Sequence, residues 1–137
     1  MSKCLSAEVI DFKACSIVGV SIEVEPQSPL IAKLWHDSMS NGIFELLQAL
    51  PNKLSLDMIG SATHFKEKTF TYTMGYLCEK GTLSSDFNSI ELNSCTVLHT
   101  KAQGKESEIY KDIYFLSMTK MEELNLKFDE TNDFALE

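Results

Sequence analysis

The chain has 137 residues, which is enough for one domain with a hydrophobic core of its own. Its net charge is −8 and it contains no arginine, so the composition argues against direct nucleic-acid binding and favours a cation as any charged small ligand. No apolar run is long enough to span a membrane, and the first residues lack the apolar region of a signal peptide. We therefore expect a cytoplasmic protein without a membrane partner.

The cysteines and histidines do not show the spacing of a metal site. The four cysteines are scattered singly, and the three histidines have no HxxxH spacing. The sequence also lacks the common motifs for nucleophilic catalysis and for phosphate or dinucleotide binding. It therefore predicts reduced thiols, no metal, no cofactor and no assignable catalytic residue.

The first third of the chain has the pattern of a strand followed by a helix. Residues 8–24 alternate as one strand, bent near residues 14–16, and Gly19 within it marks a bulge or a close approach of two backbones. Ser28-Pro29 is a helix start, because the serine oxygen can cap free amides and proline at the first helical position loses no hydrogen bond. Asn41-Gly42 is a suitable end for this helix.

The middle of the chain is predicted to form a hairpin, after which strand and helix recur. A short helical piece over residues 43–50 precedes strands at 56–63 and 65–79, which should pair antiparallel. A polar loop covers residues 80–86. A further strand at 94–102 and a helix at about 105–118 follow.

The strand at 65–79 concentrates flat and soft side chains on one face. At period two, that face is shared by Phe70, Tyr72, Met74, Tyr76 and Cys78. Such a face either packs on the core or forms one wall of a ligand pocket. The residues alone leave both interpretations open.

Two segments with the same pattern indicate an internal duplication. KLWHDSM at 33–39 aligns with DIYFLSM at 112–118, so that Trp35 matches Tyr114, and the same offset places strand on strand. The repeated unit is strand, helix, strand, strand, over about 8–80 and again over about 87–137. We expect a single α+β domain over residues 1–137, with pseudo-twofold symmetry, an antiparallel sheet with both helices packed on it, and a central groove.

The C-terminal residues are less regular. Leu124, Leu126 and Phe128 alternate, and residues 129–132 are turn-like. By analogy with the first repeat, the second should end in a two-stranded hairpin, but its last strand is incomplete at Glu137. An open sheet edge is a template for pairing, so an interaction module that pairs through this C-terminal edge, for example as a homodimer, is one alternative function.

The candidate ligand-binding residues are aromatic residues together with two carboxylates. A flat cation on such rings would gain about 0.5–2 kcal/mol per ring, in addition to attraction to a partly desolvated carboxylate. The alternative is that the aromatic residues only pack the helices on the sheet and that the acids are solvated. The candidates are Trp35, Phe70, Tyr72, Tyr76, Glu79, Tyr114 and Glu137.

Four segments in this order resemble the GyrI-like family of AraC-type effector-binding domains: SIVGVSIEV at 16–24, IAKLWHDSMSNG at 31–42, FTYTMGYLCE at 70–79, and NSCTVLHTKAQG at 93–104 with the helix after it. The chain resembles the free-standing members, including those on mobile gene cassettes such as integron cassettes. The resemblance implies a duplicated βαββ fold, related to transcription regulators, whose groove binds bulky, flat, often cationic compounds. Some relatives hydrolyse strained electrophilic toxins, so the resemblance implies a detoxifying hydrolase as a second alternative function.

The chain departs from that family at its last strand. The family's DFELY-like strand carries a pocket glutamate, whereas Asp133-Phe134-Ala135-Leu136-Glu137 places Ala135 at the acid position. Glu137 lies two residues further on, hence on the same face of a strand, and is the candidate replacement. Our main prediction is a stand-alone domain that senses or sequesters a bulky hydrophobic or cationic small molecule.

Overall fold

The chain folds into strands and helices of the predicted α+β class. The structure is a computed structural model that describes residues 2–128 and 134–137. The strands are β1 (Lys3–Phe12), β2 (Cys15–Val24), β3 (Ile59–Thr63), β4 (Phe70–Cys78), β5 (Asn88–Leu92), β6 (Cys95–Gln103) and β7 (Ala135–Leu136). The helices are α1 (Pro29–Ser40), α2 (Ile43–Gln48) and α3 (Glu106–Glu123).

The elements form two compact units, and each draws on both halves of the chain. The smaller unit combines the stretch that ends at Lys13 with the stretch from Ser94 through α3, and its sheet pairs β1 with β6. The larger unit combines residues 14–93 with β7, and its sheet has the order β5-β2-β4-β3-β7. All of these strand pairs are antiparallel. The strands therefore form two antiparallel sheets, where the sequence predicted one.

The predicted strand over residues 8–24 is two strands. β1 ends at Phe12 and pairs with β6, whereas β2 begins at Cys15 and pairs with β4 and β5. The break between β1 and β2 lies next to the bend predicted near residues 14–16. The sequence did not predict β5, because its five residues give an alternation too short to distinguish from a loop.

The strand–helix order of the sequence repeat occurs twice, as β2–α1 and as β6–α3. The first pair is followed by α2 and by the predicted hairpin, in which Ile59 lies opposite Gly75 and Thr63 opposite Thr71. After α3, residues 124–128 form no strand, and β7 joins β3 in the larger unit. The predicted turn at 129–132 lies outside the described residues.

The predicted signals at both ends of α1 are confirmed. Ser28 Oγ accepts a hydrogen bond from the Leu30 N–H at 3.1 Å, and Pro29 is the first helical residue. At the other end, Gly42 has a φ of 86°, a left-handed conformation that glycine adopts without steric cost. α2 begins at once, because Asn41 Oδ1 accepts a hydrogen bond from the Ile43 N–H at 3.1 Å.

The core of the larger unit packs one face of its sheet against α1 and α2. Met74 is fully buried, and Tyr72 and Tyr76 are 3% and 4% exposed. The period-two face of β4 is therefore a core face, with Phe70 at its margin. The buried members of this cluster are Val18, Val24, Leu47, Leu50, Tyr72, Met74, Tyr76 and Cys78.

The smaller unit is less completely covered. α3 packs against β1 and β6, and the Ser2 N–H donates a hydrogen bond to Asp112 Oδ2 of α3 at 3.2 Å. Tyr114 and Phe115 of the same helix are each 69% exposed. None of the helices in the described part of the chain is long and apolar enough to cross a membrane.

Two glycines bring β2 and β4 into close approach. Gly19 lies opposite Gly75 in the antiparallel pair. A Cβ atom added to Gly75 would lie 2.0 Å from the carbonyl oxygen of Val18, and one added to Gly19 would lie 2.0 Å from the carbonyl oxygen of Met74. A bulge and a close approach of backbones were both expected at Gly19, and the close approach is the one observed.

We expect Gly75→Ala to lower the free energy of unfolding by roughly 2–3 kcal/mol, because the methyl group must push two buried strands apart. Urea unfolding followed by the fluorescence of Trp35, the single tryptophan, measures this change. Gly81→Ala is the control, since Gly81 has a φ of 85° but no atom within 4 Å of an added Cβ. It should cost only about 1 kcal/mol of backbone strain. Equal losses from the two substitutions would contradict the close approach.

Candidate functional site

Three of the candidate residues form one hydrogen-bonded chain in the larger unit. Trp35 Nε1 donates a hydrogen bond to Tyr72 Oη at 2.8 Å, and Tyr72 Oη donates one to Glu137 Oε1 at 3.3 Å. These side chains come from α1, from β4 and from the residue after β7. The structure thus brings together an indole, a phenol and a carboxylate that are far apart in sequence.

Backbone pairing at the edge of the sheet places the carboxylate. The Gly60 N–H donates to the Glu137 carbonyl oxygen at 2.9 Å, and the Glu137 N–H donates to the Gly60 carbonyl oxygen at 2.8 Å. A Cβ atom added to Gly60 would lie 2.0 Å from Tyr72 Oη. Glycine at this position therefore leaves the space in which the tyrosine hydroxyl reaches Glu137.

Of the three hydrogen-bonded residues, the middle one is the most buried and Glu137 is the most exposed. Tyr72 is 3% exposed, Trp35 is half-buried and Glu137 is exposed. The indole packs edge-on against Phe44, with ring centroids 6.0 Å apart. The 2.8 Å contact is short enough to fix Tyr72, whereas 3.3 Å is long for a hydroxyl donor, so the carboxylate is the less tightly held end. It is also the end that a ligand in solution can reach.

The Tyr76 ring is in contact with a lysine side chain of the protein. Lys53 Nζ lies 5.0 Å from the centroid of the Tyr76 ring and donates a hydrogen bond to the carbonyl oxygen of Gln48, at the end of α2. This lysine therefore joins α2 to β4. Burial raises the pKa of the neighbouring Cys78 thiol, and the charge of Lys53 partly opposes that rise. The thiol therefore remains protonated at neutral pH.

The remaining candidates are not members of this hydrogen-bonded series. Phe70 packs against Phe65, with ring centroids 5.7 Å apart, at the margin of the core. Glu79 is exposed beyond the other end of β4, roughly 23 Å along the strand from Tyr72 at about 3.3 Å per residue. Tyr114 is on α3 in the smaller unit. The predicted groove along a pseudo-twofold axis stays a prediction.

An open cleft of about 380 Å³ lies where β2 leads into α1. None of its lining residues belongs to the hydrogen-bonded chain. Its charged rim includes Glu23, whose carboxylate accepts hydrogen bonds from Thr69 Oγ1 at 2.9 Å and from Lys66 Nζ at 3.2 Å. These two partners lower the pKa of Glu23, so the acid is ionised and already paired. The lining residues are Glu23, Val24, Glu25, Pro26, Gln27, Ser28, Pro29, Leu30 and Thr69.

Sequence reasoning missed Lys53 and the acids of this cleft. Lys53 follows a turn and has no periodic partner, so nothing in the local pattern connects it with Tyr76. Within residues 2–128 and 134–137, no group of three or more histidine, cysteine, aspartate or glutamate side chains is placed to hold a metal ion.

We expect Tyr72→Phe to lower the free energy of unfolding by about 1 kcal/mol, because it removes the acceptor of the indole N–H and the donor to Glu137. The emission maximum of Trp35 should shift as well, since its hydrogen bond is lost. Urea unfolding and emission spectra measure both effects. Tyr114→Phe removes a hydroxyl from an exposed residue and should change neither.

Lys53→Met is also expected to lower the free energy of unfolding by about 1 kcal/mol, since it removes the cation from the Tyr76 ring and from the end of α2. Methionine retains most of the apolar side chain, so the loss reports on charge. The matched control is Lys80→Met, at an exposed lysine after β4. If both variants unfold at the same urea concentration as the wild-type protein, the Lys53 contact does not stabilise the fold.

The comparisons with known proteins identify a shared fold. No protein-family model and no curated protein matches the sequence. A solved structure of SAV2435 bound to tetraphenylphosphonium is similar, with a TM-score of 0.76 and 14% identity over 95% of this chain and 80% of that chain.

Two further solved structures are similar to this chain. One is a Staphylococcus aureus MU50 protein described as a bacterial transcription regulation protein, with a TM-score of 0.68 and 15% identity over 86% of this chain and 76% of that chain. The other is an integron cassette protein from the mobile metagenome of Vibrio cholerae, with a TM-score of 0.65 and 13% identity over 98% of this chain and 88% of that chain. At these identities, the chain shares a fold with a drug-bound protein, a protein described as a regulator and a cassette protein.

Proposed function

We propose that this chain is an effector-binding domain of the GyrI-like type that senses or sequesters a bulky hydrophobic cation. The observation that carries the proposal is the hydrogen-bonded chain from Trp35 through Tyr72 to Glu137. It places a half-buried indole and an exposed carboxylate at the two ends of one fixed phenol. This combination offers a flat apolar contact and a negative charge to the same ligand.

The energetics favour a ligand that carries both apolar surface and a positive charge. A cation over an aromatic ring gains about 0.5–2 kcal/mol, depending on how far it is desolvated. The carboxylate adds Coulombic attraction, which is stronger near a low-dielectric core than in bulk water. The net charge of −8 raises the local concentration of cations around the protein. An anion would meet none of these advantages.

The hydrogen bonds from Trp35 to Tyr72 and from Tyr72 to Glu137 orient the Glu137 carboxylate. The hydroxyl of Tyr72 is held by the indole N–H at 2.8 Å and directs its own proton toward Glu137. Because the second contact is 3.3 Å, Glu137 can turn toward a ligand at small cost. On the same face of β4, Tyr76 lies in the core with Lys53 over its ring, and Phe70 lies at the margin of the core. We therefore place the ligand at the Trp35 and Glu137 end.

The similar fold of SAV2435 supports the ligand class. That protein is bound to tetraphenylphosphonium, which carries one delocalised charge within four aromatic rings. A ligand of this kind suits the surface formed by Trp35 and Glu137. Tetraphenylphosphonium and rhodamine dyes are the first compounds to test.

Titration with tetraphenylphosphonium should quench the fluorescence of Trp35 saturably. Glu137→Gln should weaken the binding about tenfold, equivalent to about 1.4 kcal/mol, because it removes the charge and keeps the size of the side chain. Glu79→Gln makes the same change at the far end of β4 and should leave the affinity unchanged. Equal affinities of the two variants would remove Glu137 from the proposed site.

A neutral ligand separates charge recognition from simple hydrophobic binding. Triphenylphosphine oxide presents similar rings without a positive charge, so it should bind at least tenfold more weakly than tetraphenylphosphonium. Added salt should weaken the binding of the cation and hardly affect that of the neutral compound. If the two compounds bind equally well, the site selects for apolar rings alone and the proposal of a cation site is wrong.

A further inference from the structure

The surface of α3 has an exposed stripe of side chains with opposite charges at its two ends. Lys111, Phe115, Met118 and Glu122 follow one another at intervals of four, three and four residues, which places them in one narrow band along the helix. The two charged residues are exposed, Phe115 is 69% exposed, and Met118 is half-buried. The other side of the helix, with Ile113, is half-buried. The band of four residues, the α3 stripe, is therefore surface.

The charged ends of the α3 stripe have no ion partner among the residues that the structure describes. Within α3, Lys120 pairs with Glu123 at 2.9 Å. The other ion pairs in the described part of the chain involve neither Lys111 nor Glu122. The described fold therefore does not account for the two charges that bracket the apolar centre of the stripe.

The α3 stripe is complementary to itself when two copies pack antiparallel. Its order of lysine, phenylalanine, methionine and glutamate, read backwards, places a glutamate opposite the lysine and a methionine opposite the phenylalanine. Lys111 of one copy then lies opposite Glu122 of the other, and a twofold axis repeats the pair. Between these pairs, Phe115 lies opposite Met118, and a thioether packs favourably against an aromatic ring.

The corresponding helix of the first repeat lacks this pattern. The sequence repeat aligns Phe115 with His36 and Met118 with Met39. Four residues before His36, at the position equivalent to the lysine of the stripe, α1 has Ala32. α1 therefore has neither the aromatic centre nor the charged N-terminal end, and the self-complementary surface belongs to α3.

We propose that the α3 stripe is a homodimer interface, in which the α3 helices of two copies pack antiparallel about a twofold axis. From Lys111 to Glu122 the contact is about 16 Å long at 1.5 Å per residue, or about three turns. Such a short contact is at the small end of the size range of protein interfaces. The dimer therefore forms reversibly and its population depends on protein concentration.

The charge of the contacting segment favours a second copy over a different partner. Residues 111–122 contain two lysines and two acids, so the segment is neutral although the chain has a net charge of −8. Repulsion between the other exposed charges is screened beyond about 8 Å at physiological ionic strength. A uniformly acidic or basic partner would meet a like charge at one end of the stripe, whereas a second copy matches both ends.

Sedimentation velocity of the full chain at physiological ionic strength, from micromolar to submillimolar concentrations, tests the interface. We expect an equilibrium between monomer and dimer. Phe115→Glu places a charge at the apolar centre and should weaken dimerisation at least about tenfold. Because Phe115 is 69% exposed, the urea midpoint of the monomer should hardly change. A monomer at every concentration, or a dimer that this substitution leaves intact, overturns the proposal.

Reversal of the charges tests the antiparallel register. Lys111→Glu places two carboxylates opposite each other twice in the dimer, and Glu122→Lys does the same with two ammonium groups, so each should weaken dimerisation about tenfold. The double variant exchanges the signs and should dimerise within about threefold of wild type. Lys13→Glu, at an exposed lysine between β1 and β2, is the control and should have no effect. If the double variant is as weak as the single variants, the proposed pairing is wrong.

Discussion

The hydroxyl of Tyr72 is the point on which the larger unit depends. It accepts the indole N–H of α1, donates to the carboxylate that follows β7, and occupies the space left by a glycine of β3. Since the tyrosine is 3% exposed, its hydroxyl makes both hydrogen bonds at the boundary of the buried core. One phenol therefore fixes the position of a helix and of the last strand on the sheet. The same contacts bring Trp35 and Glu137 to a common surface.

Patterns with a strong local cause were predictable from the sequence. The period-two face of β4, the Ser28-Pro29 start of α1 and the glycine at its end all follow from side-chain alternation, capping and backbone sterics, and each is observed. The close approach at Gly19 was one of two expectations. These signals depend on residues close together in the chain, so a single sequence contains them.

Choices between distant partners were not predictable in the same way. Residues 8–24 have one continuous alternation, and nothing in it reveals that β1 pairs with β6 while β2 pairs with β4. Likewise Glu79 and Glu137 were both candidate acids in the sequence, and the pairing of β7 with β3 is what brings Glu137 beside Tyr72. The contact of Lys53 with the Tyr76 ring could not be predicted for the same reason. Each of these outcomes depends on which edges of the sheet are filled, and alternation within a strand carries no information about that.

The two units differ in whether a neighbouring strand supports the aromatic residue of the helix. β2 and β6 both lead into a helix. β2 pairs antiparallel with β5, the strand just before β6, and β6 pairs antiparallel with β1, the strand just before β2. In the larger unit β4 completes the sheet and buries the tyrosine that holds Trp35, whereas in the smaller unit the aligned Tyr114 remains exposed. An aromatic residue at the same position of a repeat is thus part of a hydrogen-bonded site in one unit and open surface in the other.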